Sequence, residues 1–232
     1  MKLIITRPQI DAAPLAERLK ALGHSVVIAP VLDIVPRLNV AIPHLPYQAI
    51  CLSSANGMRC LNVALDQSIP VFAVGEQSAI VARVRGFQHV EAKGGDVDGL
   101  VRHIKAKLKP DDGPLLYLSG AETSGDLEGQ LTRLGYKVIR AITYDAHACA
   151  LDQHTAAIQS SNGVLLYSPR TAKLWLGELE RLNLVKAGQN LSYFCLSQQV
   201  AKILPQNWHK SVAKSPTEES LLALLDLAGE AE

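Results

Sequence analysis

A weak internal repeat runs through the 232-residue chain, and its copies come in a displaced order. Leu15, Leu19, Leu22, Gly23 and Val26 recur as Leu127, Leu131, Leu134, Gly135 and Val138, at one constant offset. Leu52-Ser53-Ser54, with Leu61 and Leu65, recurs as Leu166-Tyr167-Ser168, with Trp175 and Leu179. Val90-Glu91-Ala92-Lys93, followed by Leu100, recurs as Ser211-Val212-Ala213-Lys214, followed by Leu221. The offset drifts by a few residues between these sets, as loop insertions would make it. The chain therefore holds two copies of one unit. The second copy of the opening segment lies near residues 114–142, so residues 1–29 lack partners until residue 150 and beyond. The expected solution is a split domain, 1–35 joined with 150–232, around a second domain of 40–143. Linkers are expected near 30–39 and 141–150. Both contain strand-like stretches, which suggests a hinge with a cleft between the domains.

The unit itself is α/β. Short apolar runs read as buried parallel strands over 3–5, 26–29, 50–52, 71–74, 115–118, 138–142, 164–167 and 193–196. Helical periods lie between them. Leu15, Leu19 and Leu22 give one buried stripe. Ser215-Pro216-Thr217-Glu218 reads as a capping box with proline at the first helical position. Leu221, Leu222, Leu224 and Leu225 supply the buried face of the helix that follows. Gly94-Gly95-Asp96 reads as a loop entering a helix. The expected fold class is two similar parallel-sheet α/β domains, flavodoxin-like with helices on both faces, joined by a two-stranded linker.

Composition narrows the function. Hydrophobic residues are 48% of the chain, which excludes disorder. With 23 Lys and Arg against 22 Asp and Glu, no basic excess exists to neutralise a nucleic-acid backbone. No run approaches a membrane span, and Arg7 breaks the one apolar run at the N-terminus, so no signal peptide is read. Cys51, Cys60, Cys149 and Cys195 are scattered without a C-x-x-C pair. No disulfide framework or zinc site is expected, and a reducing cytoplasm fits. The seven histidines show no ligand spacing. Phosphate-loop, dinucleotide and hydrolase motifs are absent. If the chain is an enzyme, it is expected to work by holding its substrate and supplying at most one acid, without a metal or a covalent intermediate.

In parallel sheets, ligands bind where strands end and helices begin. Small polar residues gather at those places: Thr6-Arg7-Pro8, Ser53-Ser54 with Asn56, Gly75 with Ser78, Ser168-Pro169-Arg170, and Ser197-Gln198-Gln199. Each could be no more than a helix cap. Facing sets across a hinge would instead form a receptor for a polyanion, built from helix N-termini and hydroxyls. Arg7, Arg170 and Lys214 are the cationic members.

The ordered set of segments resembles the uroporphyrinogen-III synthase family of tetrapyrrole (haem) biosynthesis, over essentially the whole chain. The resemblance rests on Ile4-Ile5-Thr6-Arg7-Pro8, Ala21-Leu22-Gly23-His24 leading to Ala29-Pro30, and Leu52-Ser53-Ser54-Ala55-Asn56-Gly57. It continues through Val74-Gly75-Glu76-Gln77-Ser78-Ala79, Leu134-Gly135 leading to Thr143-Tyr144, Tyr167-Ser168-Pro169, and Ala213-Lys214-Ser215-Pro216. It implies two α/β domains, the first made from both termini. It implies that hydroxymethylbilane is cyclised to uroporphyrinogen III with loss of water and inversion of ring D through a spiro intermediate. No cofactor or metal is implied, and the substrate carboxylates would lie in the interdomain cleft. A cytoplasmic monomer is expected, with transient contact with the preceding pathway enzyme allowed and no nucleic-acid or membrane partner. The resemblance also places the proton donor at Tyr144; the plainer reading is that its ring packs on the linker and its hydroxyl meets water. The chain departs from the family in three places. The loop Ser119-Gly120-Ala121-Glu122-Thr123-Ser124-Gly125-Asp126 carries two acids and no arginine where many members have a Gly-Gly-Arg-like loop. Ser197-Gln198-Gln199 replaces a Gly-x-Thr-like turn, and Ser78 replaces a threonine. The alternative from another class is a non-catalytic, two-lobed small-molecule binding protein.

Overall fold

A computed structural model of the chain describes residues 1–93 and 95–229. The elements alternate. The chain begins β1 (Lys2–Ile5), α1 (Gln9–Ala21), β2 (Ser25–Ile28), β3 (Leu32–Pro36), β4 (Ala49–Leu52), α2 (Ala55–Arg59), β5 (Val71–Ala73), α3 (Glu76–Val84), β6 (Val90–Ala92) and α4 (Val97–Lys107). It continues β7 (Leu115–Gly120), α5 (Leu127–Arg133), β8 (Val138–Ala148), α6 (Thr155–Ser160), β9 (Gly163–Leu166), α7 (Pro169–Arg181), α8 (Val185–Gln189), β10 (Ser192–Cys195), α9 (Gln198–Ala201), β11 (Lys210–Val212) and α10 (Glu218–Gly229).

Two compact units result. Unit 1 is Met1–Asp33 with His147–Glu232, and unit 2 is Ile34–Ala146. The chain passes from one to the other inside β3 and again inside β8. Unit 1 has the strand order β2-β1-β9-β10-β11, all parallel. Unit 2 has the order β8-β7-β4-β5-β6, also parallel, with β3 added beside β8. β3 runs against β8: the Arg37 N–H donates to Thr143 O, while the Cys149 N–H donates to Val31 O. The five parallel positions match one to one between the units. What differs is where the chain enters, since unit 1 starts with the β1-α1-β2 segment and unit 2 ends with its counterpart, β7-α5-β8.

Burial on both faces explains the strands. In β1, Ile4 enters one cluster with Val164, Trp175 and Tyr193, while Leu3 and Ile5 enter another with Leu15, Leu19 and Leu221. In β4, Ile50 and Leu52 pack with Met58 and Leu116, while Ala49 and Cys51 pack with Tyr117 and Leu131. A strand that buries alternate residues on opposite sides reads as a continuous apolar run, because neither face meets water. Cys51 and Cys195 are buried free thiols, each pushed up to about 12 mainly by burial, so neither is a reactive thiolate.

The repeat also has a local cause. α1 and α5 end identically: Gly23 and Gly135 have φ of 83° and 89°. The His24 N–H reaches back to Leu19 O, and the Tyr136 N–H to Leu131 O. Only a residue without Cβ adopts that turn freely, so the glycine recurs where the chain must leave a helix for the next strand.

Several expectations are corrected. Leu22 is 55% exposed, because it lies at the C-cap of α1 after the buried stripe has ended. α10 begins at Glu218, and its cap is Thr217, whose Oγ1 accepts the Ser220 N–H at 3.2 Å. Pro216 therefore precedes the helix, and Ser215 is outside it, donating its N–H to Ser220 Oγ at 3.1 Å. On α10, Leu221, Leu222 and Leu225 are buried, while Leu224 is partly so. Three strands appear that the apolar runs did not specify as such: β3, read above as a strand-like linker, and the three-residue strands β6 and β11. Gly94 lies outside the described residues. Asp96 caps α4, accepting the Gly99 N–H at 2.7 Å.

Candidate functional site

Parallel strands put all their carboxyl ends on one edge of a sheet, and the edge of unit 1 gathers ten of the residues named from sequence. Thr6, Arg7 and Pro8 follow β1; Ser168, Pro169 and Arg170 follow β9; Ser197, Gln198 and Gln199 follow β10; Lys214 follows β11. The strand order reverses between β1 and β9, which is where such sheets open a crevice. Thr6 is buried and its hydroxyl donates to Leu165 O at 2.9 Å, stitching the two strands at that point. Pro8 starts α1, its carbonyl accepting the Asp11 and Ala12 N–H groups. Ser168 and Thr171 form a full capping box for α7, with Pro169 at the first helical position. Ser197 precedes α9 and makes no side-chain cap bond; Gln198, Gln199 and Lys214 are exposed.

Arg7 sits at the centre of this edge. Its guanidinium lies 4.5 Å over the Tyr167 ring. It pairs with Glu218 of α10 at 3.0 Å and with Asp11 at 3.4 Å. Glu218 also pairs with Arg18 at 2.5 Å. Burial pushes the Tyr167 phenol up, helped by Glu218 and opposed by Arg7, so this group stays protonated.

The edge of unit 2 gathers the rest. Its reversal point lies between β4 and β7. Ser53, after β4, has its Oγ 2.7 Å from Tyr117 Oη of β7. Ser54 caps α2, accepting the Asn56 N–H at 3.3 Å, and the buried Asn56 accepts from Arg59 at 3.0 Å through Oδ1. Gly75 precedes α3, and Ser78 is buried in its first turn, with its N–H donating to Gly75 O at 3.1 Å. Tyr144 is 8% exposed and belongs to β8, where its ring lies against Gly120. A Cβ on Gly120 would come within 2.7 Å of Tyr144 Cε2 and Cζ. The Ala121 N–H donates to Tyr144 O at 3.0 Å. The β7–β8 register slips between Ser119 and Gly120, so that Gly120 rather than Ala121 stands opposite Tyr144.

Two residues here were not singled out from sequence. Arg140 donates from Nε to Ser119 Oγ at 2.8 Å, and from Nη2 to Gly120 O at 2.8 Å and Ala121 O at 2.9 Å. Tyr117, its register partner on β7, lies beneath it with the ring centroid 5.9 Å from the guanidinium carbon. Burial pushes the Tyr117 phenol up, against the bond from Ser53 and the charge of Arg140. The signal for Arg140 was a charge inside the apolar run Val138-Ile139-Arg140-Ala141-Ile142. Tyr117 carried none, since an aromatic residue in a buried strand is the ordinary case.

Chemically, both edges offer hydroxyls, amide groups of helix first turns and protonated phenols, all hydrogen-bond donors to oxygen anions. Among the described residues, no group of His, Cys, Asp and Glu side chains is arranged to hold a metal ion. Among the same residues, no helix is long and apolar enough to cross a membrane.

The family described as uroporphyrinogen-III synthase HemD matches residues 13–223. Among solved structures, the chain is similar to uroporphyrinogen-III synthetase from Helicobacter pylori 26695. The identity is 18% and the TM-score 0.67, covering 97% of this chain and 99% of that one. It is also similar to a mutant uroporphyrinogen III synthase from the extremely thermophilic bacterium Thermus thermophilus. There the identity is 14% and the TM-score 0.61, covering all of both chains. At such identities the likeness is one of fold. No curated protein matches the chain. With a family match that spans nearly the whole sequence, the chain belongs to the uroporphyrinogen-III synthase family.

Proposed function

We infer that the carboxyl-edge loops of the two units hold the carboxylates of the substrate and that Tyr144 supplies the proton. The reaction is that of the family: a cyclising lyase closes hydroxymethylbilane to uroporphyrinogen III with loss of water and inversion of ring D. The match across residues 13–223 carries this reading.

The binding residues we propose are Thr6, Arg7, Pro8, Ser168, Pro169, Arg170, Ser197, Gln198, Gln199 and Lys214 in unit 1, with Ser53, Ser54, Asn56, Gly75 and Ser78 in unit 2. Helix N-terminal amides and hydroxyls suit a substrate with many carboxylates, because each can donate without a matching surface charge. Holding the chain with its ends together converts a slow ring closure into a directed one. The departing hydroxyl takes the proton of the Tyr144 phenol as its carbon–oxygen bond breaks and leaves as water, with the phenolate regaining a proton afterwards. The electrons that replace it come from the adjoining pyrrole. Such general-acid help is typically worth ~10²–10⁴-fold. We further propose a monomer, acting in the cytoplasm on this small molecule, with neither nucleic acid nor membrane as partner.

Hydroxymethylbilane generated in situ, followed by oxidation and separation of the products, tests the activity. Uroporphyrin III is the expected product; type I alone would sink the reading. Tyr144→Phe keeps the ring and removes the donor. It should lower kcat by about tenfold or more with little change in Tm. Near-full turnover in that variant would leave positioning to carry the reaction without this phenol.

A further inference from the structure

We propose that Arg140 is a positioning residue for Tyr144, acting through the backbone of Gly120 and Ala121. The proposal rests on the reading of Tyr144 as proton donor.

The geometry forms one connected path. Arg140 holds three oxygens of consecutive residues: Ser119 Oγ, Gly120 O and Ala121 O, at 2.8, 2.8 and 2.9 Å. That stretch is where the β7–β8 register slips. Gly120 then stands directly against the Tyr144 ring, with no room for a Cβ, and the Ala121 N–H holds Tyr144 O. The segment bound by the guanidinium is therefore the wall that sets where the phenol points. The Ser119 hydroxyl, accepting from Arg140, itself donates to Gly120 O at 3.0 Å, which closes a small ring of bonds around the same carbonyl. On its other side Arg140 lies over Tyr117, whose hydroxyl meets Ser53. The path thus runs from Ser53 at the end of β4 to Tyr144 on β8.

A planar guanidinium suits this task and an ammonium does not. Its fork reaches a hydroxyl and two carbonyls at fixed angles from one rigid plane, whereas lysine presents a single flexible point charge. The Glu128 carboxylate is 3.7 Å from Nη1, further than the backbone oxygens and Ser119 Oγ at 2.8–2.9 Å. The 119–126 loop has no arginine of its own; β8 supplies one to it from outside.

The test is a cycle of the full chain, Arg140→Lys, Tyr144→Phe and the double variant, assayed with hydroxymethylbilane generated in situ. Arg140→Lys is expected to lower kcat by about fivefold or more with KM changed by less than about twofold, since a misplaced donor slows chemistry more than binding. In the Tyr144→Phe background, the same change should cost less than about twofold, because no donor is left to misplace. Full kcat in Arg140→Lys beside a slow Tyr144→Phe overturns the proposal alone. So does a loss that multiplies fully with that of Tyr144→Phe, or one confined to KM. Near-full turnover in Tyr144→Phe defeats the proton-donor reading and this proposal with it. Should Arg140→Lys not fold, Ser119→Ala removes one acceptor and no charge. It should lower kcat by about twofold to fivefold, and only while the Tyr144 hydroxyl is present.

Discussion

The two units share a strand order, yet the arginines bound at their carboxyl edges, Arg7 after β1 and Arg140 against the end of β7, are used differently. In unit 1, Arg7 is matched by Glu218 and Asp11, and Glu218 also takes Arg18, so two cations face two carboxylates. In unit 2, Arg140 is held by a hydroxyl and two carbonyls, and the Glu128 carboxylate stands further off. The first arrangement joins elements distant in the chain through charge, tying β1 and α1 to α10. The second organises a local turn through geometry. A guanidinium at the carboxyl edge of a sheet therefore does not by itself indicate an anion clamp; what its donors already hold has to be counted first.

The largest break in the comparison comes from removing residues 1–28. Unit 1 would lose β1, paired on both sides with β2 and β9, and with it Leu3, Ile4 and Ile5 from two clusters. We expect unit 1 to unfold while a fragment of residues 34–146 melts cooperatively by itself. Trp175 and Trp208, the two tryptophans of the sequence, both lie in unit 1, so their fluorescence reports that unit alone. Native-like tryptophan emission after the deletion would contradict the split.

A smaller perturbation targets unit 2. Gly57 of α2 approaches β7 so closely that a Cβ would collide with Leu118 O. Gly57→Ala should destabilise unit 2 by about 1–3 kcal/mol, since a backbone carbonyl cannot move as a side chain can. Urea unfolding of fragment 34–146 measures it; an unchanged midpoint would mean that α2 shifts freely on the sheet.

The smallest effect is in acid. The Arg181 hydrogen bond holds Glu178 below the usual carboxylate range, aided by the Leu151 N–H at 2.7 Å, and Arg181 does the same for Asp152. A carboxylate depressed in the folded state adds stability above its unfolded pKa of ~4. That stability is lost as pH falls through the lower, folded value. Tryptophan-monitored urea midpoints should thus decline below about pH 4, and Glu178→Gln should flatten the decline. An equally steep decline in the variant would assign it to other groups. Unit 2 has depressed acids of its own, Asp126 held by Arg133 and Asp66 held by Ser68, so fragment 34–146, which lacks Glu178, should show a separate acid decline.

How far the sequence carried this picture follows from the same contrast. Strands buried on both faces, such as β1, β4, β7 and β9, announced themselves as apolar runs. β6 and β11 are three residues long, lie at sheet edges and contain Glu91 and Lys210, so no run existed to see. The capping signal near α10 was read two residues early, because Ser215 and Thr217 both have the chemistry of a cap and only backbone direction distinguishes them. At the site, the carboxyl-end residues were legible because helix starts have a composition. The partners that define their state were not: Arg7 and Glu218 are 211 residues apart, and no local pattern links them. Arg140 stood out as a charge in a strand, but its acceptors are mostly backbone carbonyls, which every residue carries.

The displaced order of the repeat has a consequence for synthesis. Thr6, at the end of β1, bonds Leu165, at 159 residues' separation. At roughly 5–20 residues per second on the ribosome, β1 waits on the order of 10–30 s for that neighbour. All of unit 2 emerges in the interval, with its sheet partners contiguous. The nascent chain can thus complete one half while Leu3, Ile4 and Ile5 stay uncovered, an apolar strand with one flank missing. This is the kind of surface that chaperones bind and that aggregation exploits. Heavier demand for folding assistance by the discontinuous half would be the cellular signature of its topology.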